Sequence, residues 1–157
     1  MTDWRPPPAI RPIVIGLAWN DGRLLAAQIC DRDGIMKGVR PPGGSIEFGE
    51  TREEALHREF REELDVKIAI VGPWHVIENI FEFNGTKGHE LVFAAEIELK
   101  DSSLYGRDEI STIEVGHQQR LIWVDPDELG SRGIHLFPSG LTDILPARTS
   151  SWRHPDL

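Results

Sequence analysis

An α/β or α+β sandwich, rather than a regular βαβ array, is the fold class that this sequence predicts. Three observations lead there. Apolar, β-compatible runs flank tight-turn dipeptides, a single segment carries a clear helical period, and the chain ends on short helix-like pieces. A length of 157 residues suits one hydrophobic core, and 39% hydrophobic with 27% charged side chains is an ordinary globular balance.

Residues 1–12 are proline-rich and read as an arm. Ile13–Trp19 and Arg23–Ile29 are apolar runs separated by Asn20-Asp21-Gly22, which predicts a hairpin. The polar stretch Asp31–Lys37, with Gly34, reads as a loop. Pro41-Pro42-Gly43-Gly44 then breaks any helix and forces a special backbone path. Thr51 to Leu64 is the clearest helix: Thr51 and Glu54 have capping-box spacing, and Leu56, Phe60 and Leu64 form one apolar stripe.

Lys67–Phe83 and Gly88–Leu99 read as two long strands joined at Asn84-Gly85-Thr86-Lys87. Tyr105–Gln119 is polar and irregular. Leu121–Val124 predicts a short strand, Pro126–Leu129 a short helix with proline near its start, and Leu141–Ala147 a last short helix. The organisation expected is an arm over 1–12, one domain over 13–147 and a tail over 148–157.

Bulk properties narrow the function. A formal net charge of −9 argues against binding polymeric nucleic acid through phosphate neutralisation. It does not argue against a small anionic substrate carried by metal ions, because bound cations reverse the local field. The single cysteine, Cys30, excludes an internal disulfide and a cysteine-based zinc cluster; ending an apolar run, it is expected to be a small core residue. Apolar runs are far shorter than the ~20 residues of a membrane span. The N-terminal residues lack the apolar segment of a signal peptide, so a cytoplasmic location is the default expectation.

The chemistry concentrates between Gly44 and Val66. At about 100° per residue, Glu59, Glu62 and Glu63 share one helix face beside the apolar stripe. Like charges so placed repel, and more strongly when partly buried. A hard divalent cation removes that repulsion, and carboxylate oxygens suit Mg²⁺ or Mn²⁺. An acidic helix face is ordinarily just a solvated one. The glycine-rich turn ahead of this helix shifts the reading, because its backbone can approach a metal or phosphate closely.

Gly44, five residues, Glu50, seven residues, Arg58-Glu59, apolar Phe60, one residue, Glu62-Glu63, one residue, then Asp65 and apolar Val66 resembles the Nudix box. One position departs: the family has glycine where Asp65 stands. Asp is among the non-glycine residues that best tolerate a left-handed helix exit, so a cost of about 1 kcal/mol or less is expected there. The resemblance implies a Nudix-type α/β/α sandwich with a mixed central sheet and one main catalytic helix. It implies Glu59 and Glu63 as principal metal ligands, Glu62 as a further ligand or water-orienting base, and the Gly44 carbonyl in the metal shell. Arg58 and Glu50 would pair and brace the helix against the loop.

The reaction implied is metal-dependent hydrolysis of the diphosphate linkage in a nucleoside-diphosphate-X compound, with Mg²⁺ or Mn²⁺ as cofactor. A general base from outside the box is expected at Glu114, with Glu109 as rival. Arg40, ahead of the proline–glycine turn, is a candidate for a substrate phosphate. Glu90 reads as an edge-strand charge or a metal or substrate contact. Trp19, Trp74 and Phe81 read as core side chains or base-stacking ones. A zinc-protease reading of His89-Glu90 fails because Phe93 stands where a second histidine is required.

Two other readings compete. A catalytically silent Nudix-fold nucleotide-binding or regulatory module is expected to lose box carboxylates, and this chain keeps Glu50, Glu59, Glu62 and Glu63. An isopentenyl diphosphate isomerase needs a cysteine motif that Cys30 lacks. The resemblance also allows a homodimer, for which Trp4 or Trp152 would be contacts. It leaves the nucleotide derivative open.

Overall fold

The computed structural model describes residues 5–31, 33–113 and 119–145. In chain order its elements begin with β1 (Ile10–Asn20), β2 (Arg23–Cys30), β3 (Met36–Arg40) and β4 (Gly43–Ser45). The helix α1 (Arg52–Leu64) follows, then β5 (Ile68–Ile70), β6 (His75–Phe83) and β7 (Thr86–Leu99). The chain continues with β8 (Glu109–Ser111), β9 (Arg120–Val124), α2 (Pro126–Leu129), β10 (His135–Leu136) and α3 (Leu141–Ile144).

Turn chemistry sets the two long hairpins. Asp21 and Gly22 join β1 to β2 with φ of 51° and 78°, and Asn84 and Gly85 join β6 to β7 with 51° and 75°. Positive φ at both central residues matches the twist of paired strands, and Asn, Asp and Gly tolerate it best.

The strands form one mixed sheet ordered β10-β3-β2-β1-β7-β5, with β4 also on β1, β6 also on β7, and β9 carrying β8 against β2. β1 and β7 run parallel at its centre. β1 has two partners on its other side: Trp19 and Asn20 pair with β2, whereas Ile13, Val14 and Ile15 pair with β4. At that fork the Gly16 N–H donates to the Pro42 carbonyl at 3.0 Å, and the Ile46 N–H to the Pro12 carbonyl at 3.0 Å. The proline–glycine segment is thereby stitched onto β1, next to α1.

Each sheet face carries its own core. On one, Ala55, Leu56 and Phe60 of α1 pack with Val14, Ala18, Leu25 and Ile97. On the other, Ile13, Ile15, Leu17 and Val92 are closed over by Leu129 of α2, Ile134 and Leu141 of α3. This is the α/β/α sandwich with a mixed sheet that the sequence predicts. Gly16 is required in the first core, because a Cβ there would stand 2.7 Å from the Phe60 ring.

The helix ends behave as their residues dictate. Thr51 Oγ1 accepts from the Glu54 N–H at 3.1 Å. Asp65 adopts φ 50° and ψ 44°, and its N–H returns to the Arg61 carbonyl at 3.0 Å. The left-handed exit is therefore made without glycine.

Several expectations require correction. β1 starts at Ile10, three residues earlier than expected, because Ile10–Ala18 pairs along β7. β3 starts at Met36, inside the expected loop. The predicted strand over 67–83 is two strands, split where the Val71 and Gly72 N–H groups both turn to the Glu96 carbonyl, at 2.9 and 3.3 Å. The irregular Tyr105–Gln119 stretch contributes β8, and a 3-10 turn spans Ser102–Gly106. Cys30 is exposed instead of buried: the β2–β3 register shifts between Ile29 and Cys30, and the thiol ends outside the core.

Candidate active site

The site is organised by one guanidinium. Arg58 donates from Nε to Glu50 Oε2 at 2.7 Å and from Nη2 to Glu50 Oε1 at 2.9 Å, a two-pronged pair. Its Nη2 also reaches the Ser45 carbonyl at 2.9 Å, and its Nη1 reaches Glu59 Oε1 at 2.9 Å and Glu62 Oε2 at 3.3 Å. Glu50 Oε1 in turn accepts from the Glu47 N–H at 3.0 Å. One side chain thus ties the loop over 45–50 to α1. The Arg58 bond is the first cause, and the Glu47 N–H the second, of a Glu50 carboxyl lowered to about 2. The same carboxylates raise the Arg58 guanidinium above its ordinary value, Glu50 first and Glu59 next, against the opposing effect of burial.

The acidic face grades from core to solvent. The Glu59 side chain is 13% exposed, that of Glu62 is 55% exposed, and Glu63 is half-buried. Glu59 rests against the turn, and a Cβ on Gly44 would collide with its carboxylate. Gly44 is therefore a cradle that any side chain would fill. Among the described residues no three His, Cys, Asp or Glu side chains are gathered as a ready chelate. The donor set nonetheless fits a hard divalent cation, since Glu59, Glu62 and Glu63 supply oxygen only and Glu59 abuts the Gly44 backbone.

The carboxyl end of α1 is tied to the loop that precedes β9. The Ile113 N–H donates to the Glu63 main-chain carbonyl at 2.9 Å, and Thr112 and Gln119 close that loop with two bonds of 3.0 Å. Glu114, the expected base, lies outside the described residues. Its rival Glu109 sits on β8 in an exposed ion pair with Arg120 Nε at 3.0 Å.

A second group of charges flanks the turn. Arg40, the last residue of β3, places Nη2 3.6 Å from Glu90 Oε2, and Arg11 of β1 places Nη1 3.5 Å from Glu90 Oε1. Glu90 is not an edge charge. It lies on β7 between β1 and β6, opposite Arg11 and Asn79, and its side chain is only 4% exposed. Burial pulls Arg40 below the ordinary guanidinium value; the Glu90 charge opposes this, as does the charge of Glu63. Sequence reasoning missed this cluster, although a signal existed: Glu90 is two residues from Val92 and four from Ala94, on the inward phase of the strand.

The aromatic candidates divide. Trp19 is 3% exposed and belongs to the core. Trp74 packs at the margin of the α1 core, with the Arg52 guanidinium 4.7 Å from its ring centre. Phe81 is half-buried and its ring covers Gly88. Trp4 and Trp152 lie outside the described residues. No helix among the described residues is long and apolar enough to cross a membrane.

Fold and site together define a class of protein: an α/β/α sandwich in which a glycine turn faces a helix lined with carboxylates. The NUDIX domain matches residues 9–144, and the chain belongs to the Nudix hydrolase family, generally metal-dependent pyrophosphohydrolases. It is 33% identical over 122 residues to the nucleoside triphosphatase NudI of Salmonella newport (strain SL254), covering 76% of this chain and 84% of that one. It is 40% identical over 73 residues to the nucleoside triphosphatase NudI of Escherichia coli O139:H28 (strain E24377A / ETEC), covering 45% and 52%. The match thus spans about half the length of the Escherichia coli relative. Two solved structures share the fold. The solution structure of the E. coli ORF135 protein has TM-score 0.51 at 23% identity, over 80% of each chain. The NUDIX hydrolase from Nitrosomonas europaea has TM-score 0.54 at 19% identity, over 78% of this chain and 77% of that one.

Proposed function

We propose that this protein hydrolyses the diphosphate linkage of a nucleoside-diphosphate-X compound in a Mg²⁺- or Mn²⁺-dependent reaction. The observation that carries this reading is the contact of the Glu59 carboxylate with Gly44, locked from behind by the Arg58–Glu50 pair. Glu59, Glu62, Glu63 and the Gly44 carbonyl would hold the cation. When bound, it would neutralise phosphate oxygens and make a nearby water more acidic.

The chain's own residues do the rest. Arg58 and Glu50 keep the loop and helix at a fixed separation, so the carboxylates need not rearrange as substrate arrives. Arg40 receives a substrate phosphate oxygen. Glu62 and Glu63 orient the attacking water, and Glu114 takes its proton. The bond from Ile113 to Glu63 supports that last assignment, since it brings the residue preceding Glu114 to the acidic end of α1. The NudI relatives, described as nucleoside triphosphatases, favour a nucleoside triphosphate as the first compound to try. A cytoplasmic location and a homodimer belong to the same proposal.

The test is hydrolysis of a panel of nucleoside triphosphates, nucleotide sugars, ADP-ribose and dinucleoside polyphosphates, with and without Mg²⁺ or Mn²⁺, read as pyrophosphate or phosphate from the triphosphates and as the mononucleotide products, separated by chromatography, from the others. Hydrolysis that needs metal, and falls roughly 10²–10⁴-fold in Glu63→Gln and in Glu114→Gln, is the expected result. Absence of turnover across the panel, or full turnover by Glu63→Gln, would overturn it.

A further inference from the structure

A buried carboxylate is costly unless paired, and Glu90 is paired twice. Arg11, Glu90 and Asn79 stand in one row across β1, β7 and β6, and Arg40 reaches Glu90 from the end of β3. Arg11 and Arg40 share this one carboxylate, and the charge of Glu63 also acts on Arg40. Arg40 is not hidden: its side chain is 34% exposed and leaves β3 just ahead of the Pro41-Pro42-Gly43-Gly44 turn. Both contacts, at 3.5 and 3.6 Å, exceed the length of a tight hydrogen bond. Arg11 makes a long hydrogen bond to Glu90, whereas Glu90 locates Arg40 by charge rather than by a hydrogen bond.

We propose that Glu90 is a positioning residue, which holds Arg40 as a fixed guanidinium that receives an anionic group of the substrate beside the carboxylate face of α1. The assignment rests on the hydrolase reading for the substrate's phosphates. It adds to that reading the residue that preorganises the arginine. Without the Glu90 charge, Arg40 would sample more rotamers, and an incoming anion would have to order it at the cost of affinity.

Binding separates this claim from turnover. The probe is an α,β-imido nucleoside triphosphate with Mg²⁺, titrated by calorimetry into wild type, Glu90→Gln, Arg40→Ala and the double variant, with KM and kcat measured alongside. Glu90→Gln is expected to weaken binding tenfold or more and to raise KM, with kcat changed less than threefold. In the Arg40→Ala background, Glu90→Gln is expected to add nothing, because it acts through Arg40. Arg40→Lys, which retains charge but loses the planar fork, is expected to weaken binding several-fold, and it serves if Glu90→Gln does not fold.

Binding by a folded Glu90→Gln within twofold of wild type would overturn the proposal, as would full additivity in the double variant or no binding by wild type. Analogue binding that follows this pattern without hydrolysis of any nucleotide would sink the hydrolase reading and leave the role of Glu90 standing. Metal-dependent hydrolysis with a silent Glu90→Gln would do the reverse.

Discussion

Arg58 is the residue on which the site's rigidity turns, because it satisfies Glu50, Glu59, Glu62 and the Ser45 carbonyl at once. Its strongest mark is on Glu50, lowered from 4.5 to about 2. The sign follows from linkage: a carboxyl depressed in the folded state stabilises it fully above its unfolded value of 4.5. That contribution is lost as pH falls through about 2. Carboxyl-detected NMR is expected to show Glu50 titrating near pH 2, returning toward 4.5 in Arg58→Gln; a wild-type midpoint near 4.5 would contradict the pairing. The two adjacent glycines, Gly43 and Gly44, differ in what a side chain would meet. The atoms nearest a Cβ on Gly44 are the carboxylate end of the Glu59 side chain, whereas one on Gly43 meets the Val14 backbone. Gly44→Ala should stay within about 1 kcal/mol of wild type while displacing Glu59 and losing most activity; Gly43→Ala should lose about 1–3 kcal/mol. Paired denaturation and activity assays read both. The Arg58–Glu50 pair and the acidic triplet were legible in the sequence because they recur at helical spacing or in a motif of fixed spacing. Glu90 was not, because its partners lie 79 and 50 positions away in Arg11 and Arg40.

At the scale of elements, α1 was readable in full, since every determinant is local: the Thr51 cap, the Leu56 and Phe60 stripe, and an exit at Asp65. That exit makes a clean test. Asp65 occupies a left-handed backbone position where glycine carries no Cβ penalty. Asp65→Gly is expected to raise stability by up to about 1 kcal/mol in chemical denaturation and to leave kcat unchanged. A loss of stability would mean that the Asp65 side chain makes a compensating contact. Strand boundaries were less legible because they depend on partners. β1 reaches back to Ile10 only because β7 runs beside it. The break between β5 and β6 is set by the Glu96 carbonyl, which captures two N–H groups from across the sheet. Cys30 shows the same dependence, as a register shift against β3 carries it out of the core its neighbours enter.

For the whole molecule, the layered arrangement follows from where apolar residues fall on the two faces of one sheet. α1 covers one face, and α2 and α3 cover the other. Against a net charge of −9, Arg58 holds the Glu59 and Glu62 carboxylates on one face of α1 beside the glycine turn. We infer that the divalent cation binds this face, beside Gly44. Paramagnetic broadening by substoichiometric Mn²⁺ in the amide NMR spectrum tests it without a substrate. Broadening that centres on Gly44, Glu59 and Glu63, and that disappears in Glu59→Gln, is the predicted result. Broadening centred elsewhere, on Glu53 and Glu54 at the start of α1 for example, or none at millimolar Mn²⁺, would contradict it.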